Sequence, residues 1–193
     1  EIGKNIGRHF DQEGFDYFTR EIFDAFYPGY GDSWPTFYGA SASTYEVSSS
    51  RGELFKKRDG EIMTYRNTVR RHFVASIATL EGASLNREKL LADYVDYQKS
   101  AIEQGKKDKK ARVYIFAEQK NRSGSHKLAT LMAEHDVQVQ VALDNFEVCG
   151  KSYPAGSYFI DSAQPKGRFV KTTFEQQVNM SPDFVAEQER LRA

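Results

Sequence analysis

The sequence predicts an α/β chain built in two parts. Apolar residues recur at helical spacing in three stretches of the first part, over 11–26, over 64–82 and over 86–104. A glycine and a charge run, Gly105-Lys106-Lys107-Asp108-Lys109-Lys110, then break the pattern. A strand–helix–strand pattern follows, so the expected domains are 1–105 and 106–193.

In the first part, Phe15, Phe18, Ile22 and Phe26 fall at helical spacing and Phe23 widens the stripe. This predicts a helix over 11–26, with Asp11 as N-cap and Pro28-Gly29 as its stop. The loop Phe26-Tyr27-Pro28-Gly29-Tyr30-Gly31-Asp32-Ser33-Trp34-Pro35 holds turn signals and four large aromatics. Thr44, Tyr45 and Val47 are β-formers and predict a strand around Glu46. Asp59-Gly60 is a hairpin signal. A helix is expected from Thr64, its candidate cap, with Val69, Phe73, Ile77 and Leu80 facing a core and Gly82 closing it. Arg66, Arg70 and Arg71 read as a solvated face. A second helix is expected over 86–104, with Leu90, Leu91, Tyr94, Val95 and Ala101 on its apolar side.

In the second part, Val113-Tyr114-Ile115-Phe116 reads as a strand covered on both faces. A helix with Leu128, Leu131, Met132 and His135 on one stripe follows. Val137, Val139 and Val141 then alternate with Gln138 and Gln140, the period of a strand. Together these predict a βαβ unit with a right-handed crossover. Its first loop, residues 117–126, lies where such folds bind ligands and can cradle an anion. It carries no GxGxxG or GxxxxGK[ST] motif. Phe146-Glu147-Val148 and Ser157-Tyr158-Phe159-Ile160 are short strands, and Gln164-Pro165-Lys166-Gly167 is a turn. Ser181-Pro182 starts a last helix, with Ser as cap and Pro at its first position.

Composition narrows the function classes. Lys+Arg and Asp+Glu balance at 27 each, so no global charge argues for nucleic acid or an anionic membrane. No apolar run is long enough to span a bilayer. Cys149 is the only cysteine, which excludes an internal disulfide. The opening Glu1-Ile2-Gly3 carries no signal peptide and suggests a segment of a longer protein. Four histidines, His9, His72, His126 and His135, are followed three residues on by Gln12, Ala75, Ala129 and Gln138. None forms a His-x-x-Glu pair, and no two stand at His-x-x-x-His spacing. No metal ligand is therefore expected within the chain.

A single carboxylate, Glu46, beside an aromatic, glycine-bearing loop has two readings. It is a catalytic base delivered by a strand, or a surface Glu on a half-exposed strand. Tyr27, Trp34, Gly39, Thr44 and Glu46 together resemble the end of the catalytic domain in zinc carboxypeptidases of the carboxypeptidase A family. There a tyrosine loop leads, after a Trp and a Gly, into the strand with the catalytic Glu. The loop and the run 39–52 look especially like a bacterial branch with an extra α/β domain behind the peptidase. One departure is Ser48-Ser49-Ser50-Arg51, where digestive members have Arg-Asp soon after the Glu.

The resemblance implies a C-terminal piece of a zinc carboxypeptidase-like α/β domain, followed by a small βαβ-containing accessory domain. It implies peptide as substrate, a periplasmic or extracellular address, and zinc held by ligands upstream of this chain. Glu46 matches the general acid/base. Tyr27, with Tyr30 as the alternative, matches the tyrosine that closes over the substrate. Asp32 falls near the side-chain pocket, where an acid suits a basic or amino-bearing residue; as a turn acid it would instead bond its own loop. Residues 106–193 incompletely resemble the class I glutamine amidotransferase-like fold. That fold needs a nucleophilic Cys at a strand-to-helix turn. Cys149 sits in an expected hairpin, so no such activity is implied. The competing reading is a non-catalytic ligand- or partner-binding module on a degenerate peptidase scaffold.

Overall fold

The computed structural model describes residues 1–19, 27–47, 53–117, 122–176, 178 and 180–192. The chain is mixed α/β and divides into two compact units, Glu1–Tyr97 and Gln98–Ala193. Among the described residues no helix is long and apolar enough to cross a membrane.

The first unit opens with α1 (Ile2–Glu13). Gly14 stops it in the left-handed conformation, at φ 66°, and Phe15 N–H donates back to Phe10 O at 2.9 Å. Glycine adopts that conformation without a Cβ penalty. The helix expected over 11–26 is therefore corrected: Asp11 lies in the last turn of α1, and residues 15–19 are not helical. Ile22, Phe23 and Phe26 lie outside the described residues. Phe15 packs edge-on against Phe10, with the Arg71 guanidinium 4.5 Å from its ring centre. Arg71 is thus a packing residue rather than part of a solvated face.

Strands β1 (Leu54–Lys56) and β2 (Ile62–Thr64) form the hairpin that Asp59-Gly60 predicts, with Gly60 at φ 91°. Helix α2 (Tyr65–Leu85) follows, capped by Thr64 Oγ1, which accepts from Asn67 N–H at 3.2 Å. Its buried face is small: Ala75, Ala78 and Gly82. A Cβ at Gly82 would sit 3.4 Å from Ile2 Cα and 3.3 Å from Asn5 Cβ, so this glycine lets α1 approach instead of ending the helix. The large residues expected in the core face outward: Val69, Phe73, Ile77 and Leu80 are 49%, 63%, 45% and 68% exposed. Small and large apolar residues occupy opposite sides of one helix, and only the small side is covered.

Asn5 is buried at the α1–α2 crossing. Its amide donates to Ala78 O at 2.7 Å and to Glu81 Oε2 at 2.8 Å. His9 Nε2 meets the same carboxylate at 2.7 Å. The His9 and Asn5 hydrogen bonds hold Glu81 down to about 2 from its ordinary 4.5. A carboxylate depressed on folding stabilises above its unfolded pKa and loses that contribution as pH falls through the folded one. The first unit should therefore weaken between pH 4.5 and about 2. Emission of Trp34, the only tryptophan, can follow it. Glu81→Gln should flatten that slope, and an unchanged slope would show that the acid sensitivity lies elsewhere.

Helix α3 (Arg87–Lys107) carries the division between the units. Gly105, expected to open a linker, is instead a buried residue of this helix. Of the expected apolar side, Ala101 is buried while Leu91, Tyr94 and Val95 are exposed.

The second unit contains β3 (Val113–Phe116), α4 (Arg122–Glu134) and β4 (Gln140–Val141). It continues with the hairpin β5 (Phe146–Val148)–β6 (Lys151–Tyr153), then β7 (Tyr158–Asp161), α5 (Gly167–Phe174) and α6 (Pro182–Arg192). The sheet order is β3-β7-β4, with β7 antiparallel to both neighbours. β3 and β4 therefore run parallel, as a βαβ pattern requires, but a third strand separates them. The strand expected over 137–141 shrinks to two residues. Gln164, 2% exposed, takes the ladder's place: its Oε1 accepts from Gln138 N–H at 2.7 Å, and its Nε2 donates to Gln138 O and Asp161 O. Met132, Val137, Ile160, Phe169 and Val170 form the core. Cys149 and Gly150 make the β5–β6 turn at φ 52° and 70°, and the thiol is exposed. Ser181 Oγ caps α6 by accepting from Phe184 N–H at 3.2 Å.

Candidate functional site

The stretch around Glu46 belongs to the first unit. Tyr27 and Tyr30 fold into a tight turn, with Tyr30 N–H donating to Tyr27 O at 3.3 Å. Their rings meet edge-on at 5.2 Å and both are exposed. Tyr30 O then accepts from Ser33 N–H and Trp34 N–H, which starts a short 3-10 helix, Trp34–Tyr38. Pro35 fits its first turn, and Gly39 ends it at φ 88°. Gly39 also needs to be glycine for space, since a Cβ there would come 2.9 Å from the Tyr94 ring.

After this turn the chain runs through residues 40–47 without pairing into a sheet. The strand expected around Glu46 is thus not formed over Thr44–Val47; residues 48–52 lie outside the described residues. Two side chains fix the segment where a ladder would have done so. Thr44 Oγ1 donates to Asp32 Oδ2. Tyr45 hydroxyl and Thr79 Oγ1 on α2 are 2.7 Å apart. Glu46 itself is exposed. Asp32 is half-buried and engaged across to Thr44, outside its own loop. The structure thus brings the tyrosine loop and the Glu46 segment together through Asp32 and Thr44. Sequence reasoning named Thr44 as a β-former and as part of the resemblance, not for this bond, and did not single out Thr79. The hydroxyls themselves were visible, but their partners lie 12 and 34 residues away.

Three of the four histidines are engaged separately. His9 meets Glu81, His126 Nδ1 lies 2.9 Å from Tyr158 hydroxyl, and His135 packs edge-on against Phe169. Asp16, Asp59 and Glu61 bring three carboxylates together, all exposed. They surround Lys57, whose ammonium lies 2.7 Å from Asp16 and 3.4 Å from Asp59 and also pairs with Glu61. The hydrogen bonds with Asp16 and Glu61 push that lysine well above its usual range, so it stays charged and offsets part of the cluster's negative charge. This all-oxygen set around a cation does not fit zinc, which prefers nitrogen and sulfur donors. Elemental analysis of the dialysed chain should therefore find far less than one zinc per molecule. One tightly held zinc bound by its own side chains would overturn this.

In the second unit, part of the loop after β3, residues 118–121, lies outside the described residues. A hollow between α3 and α5 is lined by Gln104, Lys107, Asp108, Ser162, Arg168 and Lys171. Three of its charged groups are already engaged: Lys171 lies 3.1 Å from Asp108, and Arg168 donates to Ser100 Oγ at 3.1 Å. Backbone N–H groups of Ala111 and Lys110, with Lys171, hold Asp108 down to about 2.

Comparison with family models, with curated proteins and with solved structures found no match.

Proposed function

We propose that this chain is the C-terminal part of a zinc metallocarboxypeptidase that removes C-terminal residues from peptides, followed by an accessory domain. The observation that supports it is the Thr44–Asp32 hydrogen bond. It joins the two stretches that the family resemblance pairs, the tyrosine loop and the Glu46 segment. In this reading Glu46, as a carboxylate, takes the proton of the water that attacks the scissile carbonyl. It then delivers that proton to the amine as the C–N bond breaks. Tyr27, or Tyr30 beside it, closes over the substrate's C-terminal residue, and Asp32 faces a basic or amino-bearing side chain. The zinc ligands belong upstream, and the enzyme works in the periplasm or outside the cell. No amidotransferase role is proposed for the accessory domain. Its one cysteine stands in an exposed hairpin turn.

The open face of α2 also supports a piece of a larger folded domain. Contiguous apolar surface of this kind is normally covered. The test is to express the longer coding frame. It should carry His-x-x-Glu before residue 1, bind zinc and release C-terminal residues from peptides. A longer frame with no such motif and no release would overturn the proposal and favour a non-catalytic ligand- or partner-binding module.

A further inference from the structure

We draw no further inference here: the strongest candidate, the exposed apolar face of α2 formed by Val69, Phe73, Ile77 and Leu80, already serves the proposal above, and nothing in the structure shows what covers it.

Discussion

On the proposed function, Glu46→Gln in the longer protein is expected to lower peptidase turnover by about 10²- to 10⁴-fold, the usual contribution of one positioned acid/base. Glutamine keeps the size and hydrogen-bonding capacity of the side chain but cannot take up a proton near neutral pH. Folding should be unaffected, because Glu46 is exposed and the segment is held by its neighbours Thr44 and Tyr45. Zinc content should be unchanged, because the proposed role is proton transfer and not coordination. The loss should fall on kcat more than on KM, since a proton in flight matters in the transition state. Near-normal turnover in a folded, zinc-loaded variant would refute the assignment.

The largest loss of stability is expected at Gly105 and Gly167. A Cβ at position 105 would lie 2.3 Å from the carbonyl oxygen of Ser162, and one at 167 would lie 2.1 Å from the same atom. That carbonyl cannot step aside cheaply. Ser162 N–H donates to Arg112 O at 2.9 Å, and its hydroxyl lies within 3.0 Å of Ala111 O and Arg112 O. Replacing a helical glycine by alanine ordinarily gains about 1 kcal/mol. Here the overlap with fixed backbone should cost about 3 kcal/mol, the upper end for overpacking, so the sign reverses. The melting temperature should drop on the order of 10 °C for each substitution. Gly3→Ala in α1 is the control, since a Cβ there meets nothing within 4 Å. Circular dichroism should show the drop, while the Trp34 transition in the first unit moves less. Equal melting of Gly105→Ala and Gly3→Ala would mean that the helices do not approach Ser162 this closely.

What could be read from the sequence was what local chemistry decides. Thr64 and Ser181 cap their helices because a hydroxyl three residues ahead of an N–H needs no distant partner. Asp59-Gly60 turns its hairpin for a similar reason. The failures share a different cause. Helical spacing identified the stripe of Val69, Phe73, Ile77 and Leu80, but periodicity does not say which side a neighbour covers. Alternating valines suggested a full strand over 137–141. The group that pairs with residue 138 is a side chain, Gln164, 26 residues further on. Helix α5 was hidden because Gly167 reads as a turn, whereas its missing Cβ makes room for Ser162. At the site, Glu46 and the tyrosine loop were picked out by resemblance. The hydrogen bonds that hold the segment in place of a strand join residues 12 and 34 positions apart and exist only in the folded chain.

The two-sided character of α2 also bears on how the isolated chain behaves as a colloid. Its formal charge is zero at pH 7, so no long-range repulsion keeps copies apart there. With four large apolar side chains turned to water on one helix, contacts between copies meet little electrostatic resistance at neutral pH. Moving a few pH units in either direction charges the whole surface while leaving that helix face unchanged. The concentration the chain tolerates before clouding should therefore pass through a minimum near neutrality, with the outer side of this helix among the apolar surfaces that meet.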